Sequence, residues 1–287
     1  MPTFSKNTGL RIFNTIKSLQ EYLQNLRQQG KTIGLVPTMG ALHQGHLSLL
    51  QQAKAANDVA VCSIFVNPTQ FNDPKDLEKY PRPIDSDTEK LQSAGCDVLF
   101  SPAVDEMYAQ NEQWHLNLGE LEHLLEGKFR PGHYQGVTQV VYKLFDIVKP
   151  NTAFFGQKDY QQFLVISKMV ALLNLPVKLI MCHIVREADG LAMSSRNIHL
   201  STADRRHALV LSRSLFWVKE HFDKADLATL KQQAEEMINA EEGTSLEYFE
   251  IADGQTLQPA KQDSKQIVAL VAARVGNTRL IDNVILR

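Results

Sequence analysis

The chain has 287 residues, 44% hydrophobic and 22% charged, an ordinary globular mixture long enough for one large core or a core with a smaller satellite domain. Its 30 basic and 32 acidic residues leave a formal charge of -2, which gives no general reason to expect nucleic acid or an anionic membrane as a partner. Cys62, Cys96 and Cys182 are far apart, form no CxxC pair and lie in or beside apolar runs, the pattern of buried thiols in a reducing cytoplasm and not of a zinc site.

The N-terminal MPTFSKNTGLRIF is too polar for a signal peptide, and no apolar run is long enough to span a bilayer. A short element at Arg11 to Phe13 comes first, then a helix from Asn14 toward Arg27, with Asn14 as its N-cap. KTIGLVP, DVAVCSIFV, CDVLFSP, NTAFFG and VKLIMCHI follow as short Val-, Ile- and Phe-rich runs ended by Gly, Pro or polar residues. They read as strands apolar on both faces, as a covered parallel sheet requires. Between them HLSLLQQAKAAN, SDTEKLQSAG, TQVVYKLFDIVK and QQFLVISKMVALLN carry helical spacing. The alternation predicts a doubly wound α/β domain over residues 1–184.

Residues 103–136 interrupt that rhythm and end in RPGHYQG; an excursion of this length with such Gly and Pro content is expected as a structured loop near the site. From READGLAMSSRN onward the character changes. LSTADRRHALVLSRSLFWVKEHF reads as a helix capped by Ser201 or Thr202, and Leu227 to Ala240 as another. LEYFEIAD, QIVALVAARV and RLIDNVIL read as strands, giving a smaller α+β domain over residues 185–287 with the boundary near Val185.

Four polar clusters stand out. In TMGALHQGH, His43 and His46 lie three apart where a strand hands over to a helix, with Gly40 and Gly45 permitting tight turns or close ligand approach. Unpaired amides and the dipole at a helix start suit phosphate oxygens. The alternative is a tight turn with incidental polar residues. Neither a Walker loop nor a GxGxxG spacing is present, and zinc lacks a third nearby ligand. Asn67 and Gln70, after the strand VAVCSIFV, could orient polar substrate groups or simply form an amide-rich turn. In GQKDYQQ, Lys158 offers a positive charge, Asp159 can accept from ribose hydroxyls and Gln162 can bind a polar substrate, unless the stretch is only a solvated helix start. Ser194, Ser195 and Arg196 place two hydroxyls beside a guanidinium suited to phosphate, or lie in a plain interdomain loop. Carboxyl ends of parallel strands are the usual ligand crevice.

No serine triad or covalent nucleophile is evident, so catalysis by alignment and charge neutralisation is expected, with transfer at the α-phosphorus of ATP as the fitting chemistry. Magnesium would help neutralise the triphosphate, and Asp85 and Asp87 are candidate contacts or simply the polar start of a helix.

PTMGALHQGH, FVNPTQF, YPRPIDSD, FRPGHYQG, FFGQKDYQQ, DGLAMSSRN and RLIDN, in this order and at compatible spacings, resemble the pantoate–beta-alanine ligase family, within the HxGH nucleotidyltransferase superfamily. The resemblance implies a Rossmann-like doubly wound domain closed over by the smaller domain, a homodimer, and ATP-dependent condensation of pantoate with β-alanine through a pantoyl adenylate, with Mg2+. It also implies catalytic roles for His43, His46 and Lys158. ATP would meet Met39, His46, Gly156, Lys158, Asp159, Val185, Met193, Ser194, Ser195 and Arg196. Pantoate would meet Met39, Gln70 and Gln162, β-alanine would meet Asn67, Gln70 and Arg130, and Asp87 would contact the metal. Pro83, Ser86 and His199 depart from the family pattern. Other readings are a nucleotidyltransferase acting on a small phosphorylated acceptor, suggested by the HxGH element alone, and a nucleotide-binding protein without catalysis.

Overall fold

The computed structural model describes residues 9–109, 112–261 and 263–287; most of the polar N-terminal stretch read as unlike a signal peptide lies outside them. The first sheet is built from β1 (Arg11–Phe13), β2 (Ile33–Thr38), β3 (Val59–Ile64), β4 (Val98–Phe100), β5 (Thr152–Gly156) and β6 (Lys178–Cys182). Helices α1 (Ile16–Gln28), α2 (Gln44–Ala56), α3 (Pro74–Lys79), α4 (Ile84–Ser93), α5 (Val104–Met107), α6 (Leu125–Phe129), α7 (His133–Val148) and α8 (Tyr160–Leu172) intervene. The cap of α1 is Thr15, not Asn14: the Thr15 hydroxyl accepts from the Ser18 amide.

All pairings in this sheet are parallel, in the order β1-β4-β3-β2-β5-β6. Alternation along the inner strands divides the core in two, because successive side chains point to opposite faces. Leu35, Val61, Phe100 and Phe155 pack toward α1, α7 and α8. Val36, Cys62, Leu99 and Phe154 pack toward α2 and α4. The expected Rossmann-like doubly wound sheet is therefore observed, and the three cysteines are buried and free.

The chain winds outward from β2 through β3 to β4, then returns to place β5 on the other side of β2. That reversal makes a crevice between the carboxyl ends of β2 and β5. The two strands pair only at Gly34–Thr152 and Leu35–Ala153, which leaves their last residues unpaired to each other at its mouth.

After β6, α9 (Thr202–His221) and α10 (Leu227–Asn239) pack on an antiparallel sheet of β7 (Thr244–Asp253), β8 (Ile267–Val275) and β9 (Thr278–Ile285). The cap of α9 is Ser201, whose hydroxyl accepts from the Asp204 amide at 3.0 Å. Buried residues from Leu191 to Val284 form this second core. A small apolar cluster of Tyr160, Leu257, Val268 and Leu270 joins the two sheets, and the Tyr160 hydroxyl donates to the Gly254 carbonyl at 2.9 Å. No described helix is long and apolar enough to cross a membrane.

Candidate active site

The crevice is a cavity of about 240 Å³ lined by all four polar clusters. The first is built by the turn from β2 to α2. Gly40 has φ +83°, and a Cβ there would come 3.0 Å from Ile64 Cγ2 and 3.1 Å from Asp87 Oδ2, so glycine suits both the backbone and the space. The Thr38 hydroxyl donates to the Ser63 carbonyl at 2.7 Å and accepts from the Gly40 amide at 3.2 Å, anchoring the turn to β3.

His43 is the N-cap of α2, its Nδ1 accepting from the Gly45 amide at 3.1 Å. The His43 amide donates to Nδ1 of His46 at 3.3 Å, and the ring centroids are 4.0 Å apart. A Cβ on residue 45 would lie 2.8 Å from His43 Cε1, so Gly45 admits this close approach. An imidazole that accepts at Nδ1 must, when neutral, carry its proton at Nε2. Burial, reinforced by Lys158, holds His43 down to about 4. Burial, with His43 and Lys158 adding to it, holds His46 down to about 3. Both rings are thus neutral near pH 7, each with an Nε2–H donor left for a ligand.

Asp87, the expected metal contact, is engaged by the turn that carries the histidines. It is 1% exposed, and its two oxygens accept from the amides of Ala41 at 2.7 Å and Leu42 at 2.8 Å. Lys90 lies 3.7 Å from Asp87 and donates to the Leu42 carbonyl at 2.9 Å. The carboxylate clamps the histidine-bearing turn from behind and is absent from the cavity lining. Asp85 and Ser86 are exposed on the same helix, and Pro83 stands at its start without a side-chain cap bond. Among the described residues no group of three or more His, Cys, Asp or Glu could hold a metal ion.

The second cluster is a 3-10 turn at Pro68–Gln70 capped by Asn67. Asn67 lines the cavity yet is 1% exposed, and its amide is engaged on every side. Its Nδ2 donates to the Gly136 carbonyl at 3.1 Å and Gln70 Oε1 at 3.2 Å, while its Oδ1 accepts from the Tyr108 hydroxyl at 2.7 Å. Asn67 thereby orients Gln70, whose Nε2 donates to the sulfur of Met39 at 3.1 Å. Gly136 permits the contact with α7, since a Cβ there would fall 2.4 Å from the Thr69 carbonyl oxygen.

Arg130 enters from the segment between α6 and α7. Its Nη1 donates to Nε2 of His133 at 3.1 Å, and His133 Nδ1 donates to the Gln70 carbonyl at 2.8 Å. Those roles follow because arginine cannot accept and a carbonyl cannot donate. Burial and Arg130 hold His133 down to about 4, in keeping with a neutral Nδ1–H ring.

The third cluster is the 3-10 turn Gln157–Asp159 after β5, which brings Lys158 and Asp159 to the cavity; Gln162 joins them from α8. The fourth returns on a hairpin-like stretch. Met193 donates to the Val185 carbonyl at 3.0 Å, Arg186 bridges Ala192, and Gly190 turns at φ +94°. This sets Ser194, Ser195 and Arg196 against the crevice, with the Ser194 hydroxyl accepting from the Arg196 amide and Arg196 3.8 Å from Asp76.

Met39, His43, His46, Asn67, Gln70, Arg130, Gly156, Lys158, Asp159, Gln162, Val185, Met193, Ser194, Ser195 and Arg196 all line this one cavity. Sequence reading overlooked Tyr80, His133 and the apolar wall of Val137, Val140, Val141 and Leu144. The wall carries a signal, helical spacing on one face of α7, but the same spacing serves any core helix. His133 belongs to the quoted RPGH, and only its ring contacts distinguish it.

The family model described as pantoate-beta-alanine ligase matches residues 11–285. The pantothenate synthetase of Bacteroides thetaiotaomicron is 46% identical over 277 residues, 96% of this chain and 98% of that protein. That of Phocaeicola vulgatus is 47% identical over 278 residues, 96% and 99% of the two chains. The crystal structure of pantothenate synthetase from Thermus thermophilus superposes with a TM-score of 0.91 at 41% identity, covering 96% of this chain and 99% of that one. The pantoate-beta-alanine ligase of Francisella tularensis, complexed with beta-gamma ATP and beta-alanine, superposes with a TM-score of 0.80 at 36% identity, covering 96% and 98%. Motifs, fold and full-length likeness agree, and the chain belongs to the pantoate-beta-alanine ligase family.

Proposed function

We propose that this crevice condenses pantoate with β-alanine at the expense of ATP, forming pantothenate, AMP and pyrophosphate. In the first step a pantoate carboxylate oxygen attacks the α-phosphorus of ATP, the bond to the β-phosphate oxygen breaks, and pyrophosphate leaves. In the second, the free amine of β-alanine attacks the acyl carbon of pantoyl adenylate, AMP departs and the nitrogen loses a proton. The observation that carries this reading is the meeting, in one cavity at the sheet's reversal point, of two neutral histidine donors, a lysine and an arginine with the amides of Gln70 and Gln162.

Negative charge grows on the phosphate oxygens during the first step, so fixed donors aimed there act mainly on the transition state. Nε2–H of His43 and of His46 donates to those oxygens, and Lys158 and Arg196 supply positive charge. Asp159 accepts from the ribose, with Met39, Gly156, Val185, Met193, Ser194 and Ser195 completing the nucleotide's surroundings. Gln70 and Gln162 hold pantoate's polar groups beside Met39. Arg130, steadied by His133, takes the β-alanine carboxylate, near Gln70 and the Asn67 that orients it.

Magnesium enters with the nucleotide in this reading. The described residues make no ready cage for it, and no step above depends on a protein-held ion. The proposal includes residues 1–184 as the nucleotide and pantoate domain, residues 185–287 as a lid, a homodimer and a cytoplasmic setting. Incubation with ATP, magnesium and pantoate, with and without β-alanine, tests the chemistry. Pantothenate and AMP should form only with all components, and failure of competent protein to make them would refute it. Light scattering tests the dimer.

A further inference from the structure

The RLIDN segment of β9 lies in the second sheet, yet one of its side chains reaches the backbone beneath Lys158. Asn283 is 2% exposed. Its Nδ2 donates to the carbonyls of both Gln157 and Lys158 at 2.9 Å. Its Oδ1 accepts from Gln157 Nε2 at 3.1 Å. The turn Gln157–Asp159 has no side-chain cap of its own, so a residue 125 positions away in sequence fixes the Lys158 carbonyl.

Asn283 is itself braced. Its amide donates to Asp282 Oδ1 at 2.7 Å, and Arg186 grips both oxygens of Asp282 at 2.7 and 3.0 Å. Arg186 stands in the connection that leads to Ser194 and Arg196, so the bracing ties together both stretches that bring cations to the crevice. Two carbonyls held by one planar amide define the orientation of a turn far better than a single bond would, because the donor geometry is directional.

We infer that Asn283 is a positioning residue for the reaction: it sets the height and direction of the Lys158 turn, and so makes lysine placement depend on docking of the second domain. The inference rests on the role given to Lys158 above. An alanine at 283 leaves both carbonyls without their donor and lets the turn shift. Displacement by about 1 Å of a group aimed at a transition state costs on the order of 100-fold in rate.

The test is a double-mutant cycle on the full chain, read as single-turnover formation of pantoyl adenylate from ATP and pantoate. Asn283→Ala should slow this step roughly 10- to 100-fold, with the ATP concentration giving half-maximal rate changing far less. In a Lys158→Ala background the same substitution should change the rate by less than about twofold, since the group it positions is gone. An equal loss in both backgrounds, or no loss in the parent, would overturn the inference. Asn283→Asp, which keeps the shape but turns a carboxylate toward the two carbonyls, should show the same non-additivity and serves if the alanine variant does not fold. A Lys158→Ala protein as fast as the parent would overturn the lysine's role itself, a separate failure read from a separate variant.

Discussion

Nδ1 of His46 accepts the amide of His43, while Nδ1 of His43 accepts the amide of Gly45, so the two rings brace the first turn of α2 reciprocally. Each bond uses the nitrogen that faces the helix and leaves Nε2–H free. Structural and chemical roles therefore sit on different atoms of the same ring, and a substitution can separate them.

His43→Asn is such a substitution. An Asn side-chain oxygen caps a helix as well as most residues do, so stability should fall by less than about 1 kcal/mol. The Nε2–H donor is lost, and adenylate formation should slow roughly 100- to 1,000-fold. Urea unfolding and single-turnover kinetics measure the two effects separately. A variant that loses stability and rate in proportion would contradict the division of labour.

Asp87→Asn tests the clamp against a metal role. One carboxylate oxygen becomes an NH2 group facing a backbone N–H, so the turn at Ala41 and Leu42 loses an acceptor. Destabilisation of about 1 to 3 kcal/mol is expected, together with slower adenylation. The magnesium concentration giving half-maximal rate should stay where it is in the parent. A large upward shift in that concentration, without loss of stability, would place Asp87 on the metal.

Gly136→Ala should damage the pantoate side of the cavity. The new methyl would meet the Thr69 backbone carbonyl oxygen at 2.4 Å, with no flexible side chain to yield. A cost of about 3 kcal/mol is expected for such overpacking, and the turn carrying Gln70 should move away from α7. The KM for pantoate should rise more than that for ATP; the reverse ranking would argue against the assignment of Gln70.

Stability should fall as the solution is acidified below the ordinary histidine range. His43 and His133 are held near 4 and His46 near 3, all below the ordinary value of 6.5. Each stays neutral in the folded chain while the unfolded chain takes up protons, so the contribution is present above pH 6.5 and is lost as pH drops toward 4 and 3. By about pH 5 the loss is roughly 2 kcal/mol per histidine. Urea midpoints at about pH 8 and about pH 5 measure it, and His133→Asn should remove about one third of the difference. A pH-independent midpoint would show that these rings are not held neutral by the fold.

Lys158→Ala and Gln162→Ala should differ in kind. The lysine variant should keep its fold and lose adenylate formation, and the glutamine variant should act mainly through pantoate use. Nearly unchanged pyrophosphate release from Lys158→Ala, or selective loss of ATP binding by Gln162→Ala, would contradict these roles.

The amino-acid sequence by itself determined the elements and the four polar clusters, because those signals are local. Runs such as VAVCSIF can be buried on both faces only as inner strands, and HLSLLQQAKAAN presents one apolar face only as a helix. Histidines and glycines at a strand-to-helix junction announce a helix mouth for the same reason. What the sequence could not decide is which groups turn inward. Nothing local shows that the oxygens of Asp87 accept from the amides of Ala41 and Leu42, 46 and 45 residues away. Nor does anything local show that the Asn67 amide is taken up by Tyr108, Gly136 and Gln70. Asn283 carries no signal at all for Lys158 until the two sheets dock. Periodicity records which face of an element is apolar, whereas the use of each lone pair and N–H depends on partners brought together by the strand order β1-β4-β3-β2-β5-β6 and the packing of the second sheet against it. Only the tertiary structure supplies those partners.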